Sequence, residues 1–352
     1  MATIIQWNIL RSPRKNLSKE VDREIPVKGL LLKRQTPVRQ NLQTETGLAD
    51  SGLNKGHSEN YFGDYRDFWW NRNFLDMTSK RLELEKFNSM LDVGCGAGHW
   101  TRTLSPYLNN GAEITAVDSD PRWHKDNQEL SDYFINRSQK FELKEGDAQN
   151  LPFPDESFDL VTCQTVLIHV PNPDKAIQEM KRVLKPGGTL LCVEPNNIVQ
   201  SLIKTSLTKN DPIEETLDHI KYRLIIEKGK RKMGAGDNSL GDLLPGMFAK
   251  EGLQEIEVRL SDKAIAMYPP YDNEEQVATL KQWLKGSSWK SKTQKDIDFF
   301  SAAGEQYMPF YFEYQEKYAG SDAHVMGALQ REQYHAAGGS LMYLVSGKKH
   351  IN

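Results

Sequence analysis

The chain has 352 residues, 38% hydrophobic and 26% charged, with a formal net charge of -3. That length is ample for one large core or for a catalytic domain with additions, and the charge balance argues against a dedicated nucleic-acid binder while leaving room for a local basic patch. No apolar run approaches the roughly 20 residues of a membrane span, and the start MATIIQWNILRSPRK lacks the basic, apolar and small-residue series of a secretory signal, so a cytoplasmic protein without a membrane span is expected.

Residues 1–57 are set apart by Arg11, Arg14, Lys15, Lys19, Arg23, Lys28, Lys33, Arg34 and Arg39, followed by a stretch rich in Gln, Asn, Thr and Ser. Two readings stay open: a basic, flexible extension, or an arm that touches RNA, an acidic partner or another subunit. Residues 61–84, YFGDYRDFWWNRNFLDMTSKRLEL, read as an aromatic helical segment packed on a domain edge, with Tyr65, Phe68, Trp69 and Phe74 crowded together.

Residues 90–100, MLDVGCGAGHW, start as a buried strand. Gly94, Gly96 and Gly98 then suit a sharp strand-to-helix turn whose backbone passes close to a ligand. Asp92 sits just before the turn, where a carboxylate can reach a ligand's ammonium or hydroxyl. A dinucleotide fingerprint would want its third glycine at position 99, which is His99. A helix is expected over residues 99–108. The next strand, EITAV, ends in Asp118, about 20 residues beyond the last glycine. A carboxylate at that place can accept both hydroxyls of a ribose, though a helix cap before Pro121 is an equally simple use of it.

A third strand is expected at residues 140–144, before GDAQNLPFPDESFDLV, and a fourth at 158–163, before QTVLIH. Residues 175–184 carry Ala176, Ile177, Met180, Val183 and Leu184 at helical spacing. Pro186 then stops the helix, and two glycines turn the chain into a fifth strand. Residues 196–207 and 216–228 read as helices, the second with Leu217, Ile220, Leu224 and Ile225 on one side. KGKRKMGAGDNSLGDLLPG has no G-K-[ST] and reads as a flexible lid or surface loop. A helix over 242–250, a sixth strand near 253–260 and a last one near 340–347 complete the series. Residues 261–339 are dense in aromatics, which fits a small helical core, a subunit interface or an acceptor pocket. The three cysteines, Cys95, Cys163 and Cys192, are scattered and form no CxxC, as expected of buried free thiols with no metal site.

The ordered series DVGCGAG, AVD, GDA, SFDLV, IH and RVLKPGG resembles the class I S-adenosylmethionine-dependent methyltransferases. The likeness is best over residues 58–195 and is nearest in general character to the group that includes the ubiquinone and menaquinone C-methyltransferases. It implies an α/β fold: a doubly wound, mostly parallel seven-stranded Rossmann-like sheet whose last strand is antiparallel. Residues 58–352 would form the methyltransferase domain, with insertions 195–250 and 261–339 making a helical cap. S-adenosyl-L-methionine is the implied cofactor, and S-adenosyl-L-homocysteine the product. The implied cofactor-binding residues are Asp92, Gly94, Cys95, Gly96, Gly98, Asp118, Ser119, Asp147, Ala148 and Gln164. Of these, Asp147 would meet the adenine amino group and the next backbone N–H would face the ring. His169 is the implied base on the acceptor side, and Tyr61, Tyr65 or Trp69 would face the sulfonium or the acceptor. Tyr268 and Tyr311 are expected to shape the acceptor side. The expected acceptor is a small molecule, and a homodimer is compatible with the chain. An RNA or protein methyltransferase using the basic arm, or a non-catalytic module that binds the cofactor, are the alternatives.

Overall fold

The computed structural model describes residues 64–126, 128–285 and 289–351. The N-terminal arm and Tyr61 lie outside those residues. Seven strands form one sheet: β1 (Ser89–Val93), β2 (Glu113–Asp118), β3 (Lys140–Glu145), β4 (Phe158–Gln164), β5 (Leu184–Asn196), β6 (Gln254–Leu260) and β7 (Leu341–Lys348), in the order β3-β2-β1-β4-β5-β7-β6. β1 to β5 run parallel, and β7 lies antiparallel between β5 and β6. This is the doubly wound sheet expected from the alternation of short apolar runs with helical patterns.

The helices are α1 (Arg72–Arg81), α2 (His99–Leu104), α3 (Pro121–Asp126), α4 (Gln128–Ile135), α5 (Pro173–Val183), α6 (Ile213–Lys232), α7 (Leu244–Lys250), α8 (Glu274–Lys285), α9 (Trp289–Ala303), α10 (Met308–Lys317) and α11 (Ser321–Gln330). Side chains alternate across a strand, so adjacent residues serve different layers. Met90, Leu160 and Leu191 pack with Phe74 and Leu75 of α1, Trp100 and Leu104 of α2 and Phe134 of α4. Their neighbours Leu91, Val161 and Leu190 pack with Ile177 and Met180 of α5 and with Leu244 and Phe248 of α7. α5 buries Ala176, Ile177, Met180 and Val183, the stripe its spacing predicts. It starts at Pro173 behind Asn172, whose side chain accepts from Lys175 N at 3.1 Å. Among the described residues no helix is long and apolar enough to cross a membrane.

Several local expectations are corrected. The helix after the glycine turn ends at Leu104, and Pro106 falls in a separate 3-10 turn. Residues 196–207 hold only the short 3-10 turn Ile198–Leu202. The two glycines of RVLKPGG lie inside β5, where the register with β4 shifts between Phe158 and Leu160. In α6 the buried face is Tyr222, Ile225, Ile226 and Gly229, while Leu217 and Leu224 are exposed. The stripe read from the sequence is rotated because α9 and α10 cover the other side. Tyr222, Ile225 and Ile226 form a cluster there with Phe300, Tyr311, Tyr314 and Tyr318. The stretches 195–250 and 261–339 both contribute to this cluster, the core of the expected cap, whereas α7, inside 195–250, packs against the sheet.

Truncation distinguishes the two faces of α6. Leu217→Ala should change unfolding free energy by no more than about 0.5 kcal/mol, as for an open surface site. Ile225→Ala should cost about 2–5 kcal/mol through the cavity it leaves. Chemical denaturation of the two variants measures both, and equal costs would mean the helix is rotated from the orientation described.

Candidate active site

The site lies at the carboxyl ends of the parallel strands, where open α/β sheets receive ligands. Beyond β1 the chain turns through Gly94, Gly96 and Gly98 at φ 70°, 51° and 75°, a left-handed conformation open to glycine at little cost. The turn is also tight against its neighbour: a Cβ on Gly94 would fall 2.5 Å from Val166 Cγ2. Asp118 ties this turn to the tip of β2. Its Oδ2 accepts from Gly96 N at 2.8 Å and its Oδ1 from Asp120 N at 2.9 Å. With the Ser119 backbone also bonded to it, the carboxylate keeps acceptor capacity for a ligand. Burial pushes the Asp118 carboxyl above its ordinary range.

Asp92 is almost fully buried, and its Oδ2 accepts from Thr101 Oγ1 at 2.5 Å. Its Oδ1 has no partner. Burial pushes its pKa up to about 7, and the Asp118 charge adds to the shift. Gln164, at the end of β4, leaves its Nε2 buried and unpartnered. Asp92 is in register with Thr162, so Gln164, two residues further, projects from the same face of the sheet. An unused acceptor and an unused donor therefore face the same side beside the glycine turn. Such a pair fits a zwitterionic amino-acid group, which carries one ammonium and one carboxylate.

The other predicted cofactor residues occupy different settings. Cys95 is buried, burial pushes its thiol up, and its Sγ lies 3.7 Å from Gly96 O, so any contact with a ligand would be through its backbone. Ser119 is exposed beside Asp118. Asp147 is exposed at the tip of β3, where its Oδ1 accepts from Gln149 N at 2.8 Å. Ala148 is buried in the core behind it.

Two groups that sequence reasoning missed hold the segment between β4 and α5. Glu194, fully buried near the end of β5, accepts from Val166 N at 2.9 Å and Leu167 N at 2.8 Å. Burial pushes its pKa up to about 7. Lys230, on the last turn of α6, is 3% exposed. It donates to Ile168 O at 2.9 Å and to Asn238 Oδ1, and its Nζ lies 3.4 Å from His169 Nδ1. Burial brings its pKa down to about 8. The glycine-rich stretch that follows is no surface loop. A Cβ on Gly236 would fall 2.3 Å from Ile168 O, so the chain lies flush on the His169 turn. Glu194 could have been noticed as an acid closing an apolar strand. Lys230 carries no signal among its basic neighbours.

At the carboxyl end of β5 is an aromatic cavity of about 80 Å³. Tyr65, Trp69, Trp70, Trp283 and Tyr334 supply its aromatic walls, and Gln200, Lys263, Met267 and Met342 are among the other lining residues. Trp70 packs against Trp100 of α2, ring centroids 5.1 Å apart. Met342 pairs with Pro195 near the carboxyl end of β5. Tyr65 and Trp69 thus line this cavity. Tyr311 does not, being buried in the cap core, and the exposed Tyr268 is not part of the lining. Asp92, Asp118, Asp147 and His169 do not line it.

Residues 91–192 match the family described as a methyltransferase domain. The demethylmenaquinone methyltransferase of Staphylococcus epidermidis is 36% identical over 123 residues, covering 35% of this chain and 49% of that protein. The same enzyme of Staphylococcus aureus is 39% identical over 115 residues, covering 33% and 46%. A methyltransferase candidate from Bacillus halodurans C-125 superposes with a TM-score of 0.45 at 20% identity, covering 79% of this chain and 100% of that one. The chain spans about half the length of the curated relatives it matches. Residues 91–192 are thus similar to a methyltransferase domain, on a sheet of the Rossmann-like kind. Every residue lining the aromatic cavity falls outside the matched stretch.

Replacing Lys230 with Met should destabilise the protein by about 1–3 kcal/mol at pH 7, because Ile168 O and Asn238 lose their donor. Lys230 has a folded pKa below its unfolded value, so the unfolded state binds more protons between about pH 8 and the ordinary lysine value. Wild-type stability measured relative to Lys230→Met should therefore rise with pH across that window and stay level below it. A difference that is flat from pH 7 to 10 would show that the ammonium is not held as described.

Proposed function

We propose that the chain transfers a methyl group from S-adenosyl-L-methionine to a small molecule held in the aromatic cavity. The observation that carries this is the occurrence of two features at one end of the sheet: a glycine turn flanked by unspent buried polar atoms, and an aromatic cavity whose Trp70 packs against Trp100, just beyond that turn. S-adenosyl-L-methionine supplies a methyl carbon made electrophilic by its sulfonium. Asp92 would take the amino group through its free Oδ1, and Gln164 Nε2 the carboxylate. Asp118, with Ser119 beside it, would take the ribose hydroxyls, and Asp147 and the Ala148 N–H the adenine. Gly94, Cys95, Gly96 and Gly98 would offer their backbone at close range. Tyr65, Trp69, Trp70 and Trp283 would exclude water and fix the acceptor's approach, which is most of what an alignment-driven displacement needs. The Lys230 contact supports a loop-orienting role for His169, and proton acceptance at its Nε2 is the catalytic alternative. A small acceptor agrees with an aromatic cavity whose cation, Lys263, is ion-paired, rather than with an open basic groove.

Incubating the full chain with methyl-labelled S-adenosylmethionine and separated cell fractions tests the reading directly. Label should appear in the small-molecule fraction. Label confined to RNA or protein would overturn it, and tight cofactor binding without transfer to any fraction would favour a non-catalytic module.

A second expectation follows from Asp92. An ammonium pairs with the ionised carboxylate, so below about pH 7 binding must expel a proton. Affinity for S-adenosylhomocysteine should rise up to roughly tenfold per pH unit toward pH 7 and level off above it. Calorimetry of wild type and Asp92→Asn separates this effect from the nearby Glu194 titration. A pH dependence that survives in the Asn variant would take Asp92 out of the amino-group site.

A further inference from the structure

Gln200 lies in the 3-10 turn that follows β5, lines the aromatic cavity and is 1% exposed. Its Nε2 has no hydrogen-bond partner. A buried amide donor has given up water and, without a partner, gained nothing in return. The turn does not need this side chain. Ile198 N is held by Asn196 Oδ1 and Ser239 Oγ at 3.1 Å each, and Ile203 N closes the turn on Gln200 O at 3.2 Å. An apolar residue of similar length would be the cheaper choice there unless the amide meets something that enters the cavity.

The walls restrict what that is. Trp70, Trp283, Tyr334 and Met342 offer flat aromatic and thioether surface suited to a planar ring. Lys263, the cation in the lining, is ion-paired with Glu275, so the wall presents no uncompensated charge from it. We propose that Gln200 is the specificity determinant of the acceptor subsite, its Nε2 donating to an uncharged oxygen on a planar ring system. This rests on the reading of the cavity as the acceptor site. The bond sets the in-plane rotation of the ring between its aromatic walls, and so decides which ring atom is presented to the sheet edge. A ring lacking the oxygen still packs but leaves the amide unpaired, which is how a polar group in an apolar pocket discriminates.

The test uses the full chain with S-adenosylhomocysteine present and two probes that differ by one group: 1-tetralone, which carries a ketone oxygen, and tetralin, which does not. Dissociation constants come from ligand-observed NMR titration. Wild type should bind the ketone roughly ten- to a hundredfold more tightly. Gln200→Met should bind the two probes alike, and its melting temperature without ligand should be no lower than that of wild type. Gln200→Glu, which replaces the donor by an acceptor, should reject the ketone even if the Met variant folds poorly. Trp283→Ala should weaken both probes together. Equal binding of the two probes by wild type, or an unchanged preference in Gln200→Met, overturns the role of Gln200 while leaving the cavity assignment standing. Binding of both probes that is untouched by Trp283→Ala, or no binding of either, removes the cavity assignment itself.

Discussion

The carboxyl edge of the sheet depends on one short segment, residues 165–170, held between two buried charges of opposite sign. Glu194 takes two backbone N–H groups on one side, and Lys230 donates to a backbone carbonyl on the other. Burying either ion costs several kcal/mol before compensation. Each recovers part of that cost through hydrogen bonds to the same segment. The strain there is real, because Thr165 has φ 57° without being glycine. Such a conformation persists where the surroundings over-determine it. The consequence reaches the glycine turn, since Val166 fills the space that a side chain on Gly94 would need.

Much of the sheet could be read from the sequence because its signals are local. Parallel strands covered on both faces read as short apolar runs, and β1, β2 and β4 do. α5 was legible from its stripe, although its start at Pro173 behind the Asn172 cap lies outside the residues 175–184 read as helix. The failures are those of tertiary context. Leu217 and Leu224 lie at helical spacing with Ile225, yet the neighbours that decide which side is buried come from residues 289–318, far along the chain. The basic stretch after residue 228 looked like a solvated loop because charge normally means water. Lys230 is an exception, and its partners Ile168 and Asn238 cannot be inferred from its own surroundings in sequence.

The candidate site divides in the same way. Asp92 and Asp118 were marked by their position at strand tips, a feature of local chain geometry. Gln164 was marked only by resemblance, and the structure adds a physical reason to consider it, an unpartnered donor on the same face as Asp92. The aromatic cavity was not legible as a cavity at all. Its walls come from residues 65–70, from the turn after β5 and from residues 261–342, which meet only when β7 threads between β5 and β6. Aromatic density in the sequence could not tell Trp283, which lines the cavity, from Tyr311, which packs the cap.

This division also bears on what likeness to other proteins can carry. The matched stretch, residues 91–192, holds the glycine turn, the strand-tip acids and the His169 segment. None of the cavity lining lies in it. Lys230 joins the cluster of α6, α9 and α10 to the sheet edge. Its helix contributes Tyr222, Ile225 and Ile226 to the cap core, while its ammonium holds the segment beside the glycine turn. A cap swinging freely as a lid would have to pull that ammonium from Ile168 O and leave polar groups unpaired in a buried place. The geometry instead favours a cap fixed to the sheet edge, with acceptor selectivity set by side chains such as Gln200 on a rigid wall.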